Sequence, residues 1–226
     1  MIKTLSSGGL GDATMAFAKM GKLNDDISHT HIELPTKLLP IIKEFYESQK
    51  INVVVKNIKN KSWVVDNKKN YDIFLDTSAY GVQMKNPIEI DPFPNFIINN
   101  EYDYDIVISP SSGRNSERSF KFNEIKNFIE KHEKNYKIVL LGVENNPNKF
   151  NNLGVTNCLN KTSISESIDI INSSKYVIAP SGFISFIGCL LNKNVFTKDN
   201  RLNIRKRYFH KEWSNKFISD INTLKL

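Results

Sequence analysis

The sequence predicts an α/β protein of two small doubly wound domains, each with a parallel sheet between helices. Short apolar runs rich in β-branched residues alternate with amphipathic stretches along the chain, which is the pattern of strand–helix–strand units. A length of 226 residues, 40% of them hydrophobic and 11% aromatic, is enough to bury a core and excludes a disordered chain. A proline-rich segment, residues 85–100, interrupts the alternation and predicts the linker between the domains.

The first half is predicted to hold four strands and two helices. The strands are expected near residues 2–5, 31–34, 51–55 and 71–75, and the helices near residues 12–20 and 36–48. Pro87, Pro92 and Pro94 exclude a regular element from the segment that follows. We therefore expect an N-terminal domain at residues 1–104.

A second series of elements begins directly after this domain. Strands are expected near residues 105–109, 137–141, 176–179 and 195–196, and helices near residues 123–133, 165–173 and 183–191. Each helix is bounded by strands, so this half also predicts a parallel sheet. The C-terminal domain is expected at residues 105–226.

Positive charge is concentrated in the second half. Residues 1–104 hold 12 Lys, no Arg and 13 acidic residues, a net charge of −1. Residues 105–226 hold 19 basic residues, including all five Arg, and 11 acidic residues, a net charge of +8. This asymmetry predicts that the C-terminal domain binds an anionic ligand.

A glycine turn lies between the first predicted strand and helix. It contains Gly8, Gly9, Gly11 and Asp12, in a spacing that differs from the dinucleotide-binding fingerprint. Glycines let the backbone turn tightly and leave amide groups facing a ligand. A carboxylate at a helix start also stabilises the helix dipole. The turn is therefore either a simple strand-to-helix connection or part of a ligand site.

The loop at residues 109–120 follows a predicted strand and is rich in hydroxyl groups. It also holds Gly113, Arg114 and Arg118, and the forked donors of arginine suit phosphate oxygens. Open parallel sheets bind ligands at the carboxyl ends of their strands. The loop is therefore a candidate phosphate site, and the alternative is a solvated surface loop.

Two further loops follow strands in the same half. Glu144 comes just after a strand, where a carboxylate can accept hydrogen bonds from ribose hydroxyls. Ser181 and Gly182 open an apolar helix, where a hydroxyl and amide groups can hold a diphosphate. The alternatives are a surface carboxylate and a helix N-cap.

The C-terminal tail is strongly basic. Between residues 193 and 211 the only acidic residue is Asp199, and Tyr208, Phe209 and Trp213 are interleaved or adjacent. The basic residues are Lys193, Lys198, Arg201, Arg205, Lys206, Arg207 and Lys211. Such a segment can contact a nucleic-acid backbone or an anionic surface. The alternative is a solvated helix that closes the fold.

Cysteines and histidines show no metal-binding pattern. Cys158 and Cys189 lie far apart, which favours a reducing compartment, and the four histidines lack ligand spacing, so no metal is expected. No apolar run approaches the roughly 18 residues of a membrane-spanning helix. A cytoplasmic protein is therefore expected.

The order of these motifs resembles glycosyltransferase family 9, the heptosyltransferase-like enzymes of GT-B fold. LSSGGLGD resembles that family's SSLGD turn, and SPSSGRNSERSF resembles its donor-domain loop. LLGVE resembles a strand that ends in Gly-x-Glu. NKTSI followed by DIINSSKYVIAPSG resembles the segment that ends in Asp-Ser-Gly. The resemblance is clearest over residues 105–197.

The resemblance implies two Rossmann-like domains that face each other across a cleft. It implies an inverting, metal-independent transfer of a sugar from a nucleotide-sugar to an acceptor hydroxyl, with no other cofactor. Asp12 would be the catalytic base on the acceptor side, and the acceptor would be a glycan, a lipid-linked sugar or a modified nucleic acid. The donor-binding residues would be Ser111, Ser112, Arg114, Arg118, Gly142, Glu144, Thr162, Ser163, Pro180, Ser181, Gly182 and Ser185.

Two departures from the family pattern keep other functions open. Pro180 stands where the family has Asp, and Ser185 stands where it has His. Together with the short chain, they favour a non-catalytic nucleotide or nucleotide-sugar binding protein. The basic tail favours a glycosyltransferase that modifies DNA bases.

Overall fold

The computed structural model describes residues 1–23, 27–33, 38–58, 62–75, 91–112, 118–199 and 211–226. Within these ranges the fold is α/β and every strand pairing is parallel, as predicted. The chain divides into two compact units, Met1–Ile97 and Ile98–Leu226. No helix in the described ranges combines the length and apolar character that crossing a bilayer requires.

The N-terminal unit contains a four-stranded sheet in the order β3-β2-β1-β4. Its elements are β1 (Ile2–Ser7), α1 (Leu10–Met20), β2 (Ile27–Glu33), α2 (Leu39–Ser48), β3 (Val53–Asn57), α3 (Ser62–Asn67) and β4 (Ile73–Phe74). From β1 the chain runs to β2 and β3, which lie on one side of β1, and then returns to β4 on the other side of β1. The glycine turn after β1 therefore lies at the topological switch point, where open sheets bind ligands.

Apolar side chains pack on one face of this sheet and between its helices. Leu5 of β1 and Ile32 of β2 are fully buried and pack with Ile58. On the helices, the rings of Phe17 and Phe45 meet edge to face, with 5.7 Å between their centroids.

The strand β2 begins earlier than predicted. The prediction placed it at residues 31–34, because the polar sequence before residue 31 hides the strand pattern. In the structure β2 begins at Ile27, and the polar side chains of His29 and His31 are buried in a hydrogen-bond network. The short helix α3 was not predicted. The start of the predicted helix at residues 36–37 lies outside the described residues.

The C-terminal unit contains a six-stranded sheet in the order β10-β9-β8-β5-β6-β7. Its elements are β5 (Ile106–Ile108), α4 (Phe122–His132), β6 (Ile138–Leu140), β7 (Thr156–Asn157), α5 (Ile164–Ser173), β8 (Tyr176–Pro180), α6 (Phe183–Leu190), β9 (Asn194–Lys198) and β10 (Asn215–Ile218). The chain runs from β5 to one edge and then from β8 to the other. The switch point of this sheet therefore lies between β5 and β8.

The described part of the basic tail does not form a solvated helix. Residues 194–198 form β9, whose Val195, Phe196 and Thr197 are buried, and Trp213 is also buried. The helical interpretation is therefore wrong for this part, because its apolar side chains are needed in the core. Residues 200–210 lie outside the described residues. The edge strands β7 and β10 were not predicted, because β7 has only two residues and β10 mixes polar and apolar residues.

The segment between the units is irregular but hydrogen-bonded. Residues 91–105 contain no regular element. This agrees with the prediction from the prolines for residues 91–100, the part of the predicted linker that the structure describes. The Ile97 N–H donates to Gln49 Oε1 over 2.8 Å, within the N-terminal unit. The amides of Asn99 and Asn100 donate to the buried carboxylate of Asp169 over 3.1 and 3.2 Å, within the C-terminal unit. The chain therefore passes from one unit to the other at residues 97–99.

Candidate functional site

The predicted donor-binding residues lie along one edge of the C-terminal sheet, the edge formed by the carboxyl ends of its strands. Because β5 to β8 are parallel, the loops that follow them leave the sheet at the same edge. The described residues at this edge are Ser111 and Ser112 after β5, Gly142 and Glu144 after β6, Thr162 and Ser163 after β7, and Ser181 and Gly182 after β8. Arg114 lies outside the described residues.

A hydrogen bond joins the two loops that flank the switch point. The Nη1 group of Arg118, in the loop after β5, donates to the carbonyl of Ser181, after β8, over 2.9 Å. The Ser112 N–H donates to Ser119 Oγ over 3.2 Å and closes the base of the loop that carries Arg118. The guanidinium is therefore held where open sheets bind their ligands.

The hydroxyl of Ser181 is buried beside this contact. Only 3% of the Ser181 surface is exposed, and its Oγ has no hydrogen-bond partner among the described residues. A buried hydroxyl without a partner is rare in native proteins, because its desolvation is not compensated. A ligand oxygen at this position would complete its hydrogen bonding.

Gly182 leaves open space in front of helix α6. Apart from its neighbours in the chain, no atom of the described residues lies within 4 Å of a Cβ atom built on Gly182. Ser185 is fully buried, and its hydroxyl accepts from the Gly182 N–H over 3.0 Å and donates to the Gly182 carbonyl. Ser185 therefore caps α6 and holds the backbone of Gly182 by two hydrogen bonds. Pro180 is the last residue of β8 and is buried within the sheet.

Glu144 is held firmly at the end of β6. The side-chain amide of Asn160 bonds both backbone groups of Glu144, over 2.9 and 2.7 Å. The Glu144 carboxylate accepts hydrogen bonds from the Ser111 hydroxyl, the Asn146 N–H and Lys149 Nζ. Burial raises the pKa of Glu144, but these hydrogen bonds and the charge of Lys149 outweigh it and hold the pKa below its usual value. Glu144 is therefore an ionised acceptor at neutral pH.

Gly142 has a packing role beside Glu144. Its φ is +113°, and a Cβ atom there would lie 2.9 Å from Ser109 Oγ and 3.0 Å from Ile184 Cδ1. Only glycine accepts both constraints without a shift of its neighbours. Gly142 therefore lets the ends of β5 and β6 approach helix α6.

Thr162 and Ser163 begin helix α5. Ser163 Oγ accepts from the Glu166 N–H over 3.1 Å, and the Glu166 carboxylate accepts from the Ser163 N–H, which forms a capping box. Thr162 Oγ1 lies 2.9 Å from Ser167 Oγ. Both hydroxyls therefore have structural partners, and their role in donor binding stays a prediction.

The glycine turn of the N-terminal unit holds the carboxylate of Asp12. The Gly9 N–H donates to Asp12 Oδ2 over 2.9 Å, and Gly11 lies in the first turn of α1. Gly8 has a φ of +111°, and a Cβ atom there would lie 2.5 Å from Asp12 Oδ2. The carboxylate thus folds back over the turn and caps α1. The catalytic role of Asp12 stays a prediction.

A polar network beside the glycine turn was not predicted. Thr4 and Ser6 of β1 pair in register with His29 and His31 of β2, so all four side chains share one face of the sheet. All four are buried, together with Tyr46 of α2. The alternation of polar residues on β1 and β2 is the sequence signal for this network, whereas the spacing of the histidines addresses only metal binding.

Two basic residues of the tail have partners within the C-terminal unit. Lys193 Nζ donates to the Asn172 carbonyl, and Lys198 Nζ lies 2.9 Å from the carboxylate of Glu124. An anionic surface contact through residues 193–211 stays a prediction. Among the residues that the structure describes, no group of three or more His, Cys, Asp and Glu side chains could hold a metal ion.

No protein-family model and no curated protein sequence matches the chain, but solved structures match its fold. ADP-heptose LPS heptosyltransferase II from E. coli matches with a TM-score of 0.66 and 9% identity, over 96% of this chain and 90% of that chain. A glycosyl transferase family 9 protein from Veillonella parvula matches with a TM-score of 0.62 and 10% identity, over 96% and 85%. The chain has the fold of the family 9 glycosyltransferases. The resemblance predicted from its motifs is therefore confirmed at the level of the fold.

The family 9 fold is shared with enzymes of other kinds. A putative UDP-N-acetylglucosamine 2-epimerase from Listeria monocytogenes matches with a TM-score of 0.53 and 13% identity, over 92% of this chain and 81% of that chain. The reaction therefore has to be inferred from the site and not from the fold alone.

Proposed function

We propose that the chain is a glycosyltransferase that moves a sugar from a nucleotide-sugar donor to an acceptor hydroxyl. The main support is the hydrogen bond between Arg118 and the Ser181 carbonyl at the switch point. It brings together a guanidinium, a buried hydroxyl without a partner in the described part of the chain, and the N-terminus of α6. These groups suit the oxygens of a diphosphate. The match to heptosyltransferase structures supports the same ligand class.

The nucleoside part of the donor would lie over β5 and β6. β6 lies next to β5, on the side away from β8, and neighbouring strands are about 4.8 Å apart, so the donor would extend across the strand ends from the phosphates to Glu144. Glu144, at the end of β6, is ionised and can accept hydrogen bonds from the ribose hydroxyls. The Ser111 hydroxyl, which donates to Glu144, would then share this carboxylate with the ligand.

The transfer step follows from these assignments. Asp12 takes the proton of the acceptor hydroxyl while the acceptor oxygen bonds to the anomeric carbon, and the bond from that carbon to the diphosphate oxygen breaks with inversion. Negative charge then builds on the leaving diphosphate. Arg118 and the amides near Gly182 stabilise this charge, without a metal ion. The facing of the two domains across a cleft, with residues 1–104 on the acceptor side, stays a prediction.

A non-catalytic nucleotide-binding protein is the second candidate. It is favoured by Pro180, which provides no carboxylate at the end of β8, and by Ser185, whose hydroxyl caps α6. Both candidates predict nucleotide binding, and only the first predicts transfer. Modification of DNA bases rests on residues 200–210, which lie outside the described residues, and stays a prediction.

The Arg118→Ala variant tests the phosphate site. We expect its affinity for a nucleoside diphosphate to fall by about 1.5–3 kcal/mol, the range for hydrogen bonds to charged groups. This corresponds to roughly 10- to 150-fold in Kd. Isothermal titration calorimetry with ADP, UDP, GDP and CDP measures the effect on the nucleotide that binds tightest.

Lys126→Ala is the matched control for this titration. It removes one positive charge from the same unit, and the Lys126 side chain is exposed and pairs only weakly with Glu130 across a turn of α4. Its Kd should equal that of the wild type. Equal affinities for Arg118→Ala and the wild type would remove Arg118 from the phosphate site.

A further inference from the structure

The buried polar network of the N-terminal unit forms one continuous chain of hydrogen bonds. Thr4 Oγ1 lies 2.8 Å from His29 Nδ1, and His29 Nε2 lies 2.9 Å from Ser6 Oγ. Ser6 Oγ lies 2.7 Å from His31 Nδ1, and His31 Nε2 lies 2.9 Å from the Gly8 carbonyl oxygen. The chain thus leads from the middle of β1 to the glycine turn.

The Gly8 carbonyl fixes the direction of the last hydrogen bond, and the short contact of 2.7 Å between Ser6 and His31 assigns the others. The Gly8 carbonyl can only accept, so His31 Nε2 carries the hydrogen and the Nδ1 of the neutral ring accepts from the Ser6 hydroxyl. Ser6 has then used its one hydrogen and must accept from His29 Nε2–H. His29 Nδ1 in turn accepts from the Thr4 hydroxyl. All the donors therefore point toward the glycine turn.

Burial keeps both rings in the neutral form that this order requires. Burial, with a smaller contribution from His31, lowers the pKa of His29 to about 3. Burial lowers the pKa of His31 to about 4, although its hydrogen bond to Gly8 raises it slightly. Neither ring therefore carries a charge at neutral pH.

The last hydrogen bond connects the network to Asp12 through a single peptide group. The Gly8 carbonyl and the Gly9 N–H belong to the same planar peptide and point in opposite directions. The carbonyl accepts from His31 on one side, and the N–H donates to Asp12 Oδ2 on the other side. Gly8 and Gly9 offer little steric resistance to rotation of this peptide plane. The hydrogen bond from His31 therefore restricts a rotation of the peptide plane that the glycines alone would allow.

Tyr46 strengthens the same arrangement from helix α2. Its hydroxyl donates to the carbonyl of Ala13, the residue after Asp12, over 3.3 Å. The same oxygen lies 3.2 Å from His31 Nδ1 and 3.3 Å from Ser6 Oγ, but with these directions no hydrogen lies between them, so Tyr46 packs against the network there. His31 therefore holds the turn at the Gly8–Gly9 peptide, and Tyr46 holds it at the start of α1.

We propose that His31 is a positioning residue for the carboxylate of Asp12. Through the Gly8–Gly9 peptide, the chain of Thr4, His29, Ser6 and His31 fixes the direction from which Asp12 meets the acceptor hydroxyl. Hydrogen bonds that all point one way polarise each other, so the Gly9 N–H becomes a better donor to the carboxylate. The inference rests on the proposed catalytic role of Asp12.

Two amide substitutions at His31 separate positioning from simple stability. In His31→Gln, the amide nitrogen occupies the place of Nε2 and can still donate to the Gly8 carbonyl. In His31→Asn, the amide occupies the place of Nδ1, so it can contact Ser6 but cannot reach Gly8. Asn is shorter than Gln by one methylene group, so His31→Asn also leaves the larger cavity at this buried position. The kcat of each variant is therefore expressed per mole of folded protein, and the remaining difference reports the bond that the proposal requires.

We expect His31→Asn to lower kcat by roughly 10- to 100-fold, the range for a displaced reacting group, with an unchanged KM for the donor. His31→Gln should retain most of the wild-type kcat. The amide proton resonance of Gly9, followed by NMR, should move upfield in His31→Asn and stay near its wild-type position in His31→Gln. A purely structural role of His31 predicts that the activity lost in each variant follows its loss of folded protein, with equal kcat per mole of folded protein.

Equal kcat values for His31→Asn and His31→Gln, or an unchanged Gly9 amide resonance in His31→Asn, would overturn the proposal. The NMR measurement does not depend on activity. A wild-type chain that transfers no sugar from any donor would refute the proposed function alone. In that case the Gly9 resonance decides whether His31 fixes the turn, and a shift confined to His31→Asn would support it.

Discussion

The Asp12→Asn variant is expected to lose transfer activity by roughly 10²- to 10⁴-fold, the contribution of a general base, and to bind nucleoside diphosphate as tightly as the wild type. Asparagine keeps an oxygen that can accept from the Gly9 N–H, so the cap of α1 is largely preserved. It has no basic carboxylate to take the proton. The two roles of Asp12 are therefore separated by this substitution.

Turnover and thermal unfolding should be measured on the same preparation. If Asp12 only stabilised the helix dipole, the substitution would lower the stability by about 0.3–1 kcal/mol and leave turnover intact. Glu124→Gln is the matched control, because Glu124 caps α4 in the same way by accepting from the Lys121 N–H over 2.9 Å. It also pairs with Lys198, so it should lose some stability but no activity. Full turnover of Asp12→Asn would remove Asp12 from the catalytic role.

The second large effect is a loss of stability of the N-terminal unit in mild acid. The pKa values of His29 and His31 are lowered by burial to about 3 and 4, whereas both are near 6.5 in the unfolded chain. Between those values the unfolded chain binds more protons, so the unit has its full stability above pH 6.5 and loses it as the pH falls. Two protons give a slope of about 2.7 kcal/mol per pH unit, or on the order of 5 kcal/mol at pH 4.5.

The two tryptophans allow each unit to be followed separately. Trp63 packs against the core of the N-terminal unit, and Trp213 is buried in the C-terminal unit. Urea unfolding should therefore be recorded by fluorescence in Trp213→Phe, which reports the N-terminal unit, and in Trp63→Phe, which reports the C-terminal unit. Between pH 7 and pH 4.5 the free energy of unfolding should fall steeply in the first and much less in the second. Equal pH dependence in the two variants would show that the buried histidines do not control this stability.

Local sequence patterns predicted the elements that carry the site. The strands β5, β6 and β8 are apolar runs of the C-terminal sheet, and the loops after them contain the polar motifs, so their common edge followed from parallel pairing. The contact between Ser111 and Glu144 was not predictable, because it depends on the pairing of β5 with β6 across 33 positions of sequence. The sequence does not predict that Ser185 caps α6, because a serine at that position is compatible with both donor binding and capping.

The buried histidines show a different limit of sequence reasoning. His29 and His31 lie on a strand whose polar residues argue against burial. Their burial becomes favourable only through Thr4, Ser6 and the Gly8 carbonyl, which satisfy the four ring nitrogens. These partners come from β1, so the network exists only once the two strands have paired in register.

A crystal structure with a bound nucleoside diphosphate would test the proposed donor site most directly. The chain should be crystallised with whichever of ADP, UDP, GDP and CDP binds tightest. We expect the diphosphate to contact the Arg118 guanidinium, the Ser181 hydroxyl and the backbone at Gly182, with the ribose hydroxyls at Glu144. Failure of all four nucleotides to bind, or a nucleotide bound away from the edge formed by β5, β6 and β8, would contradict a nucleotide-sugar donor.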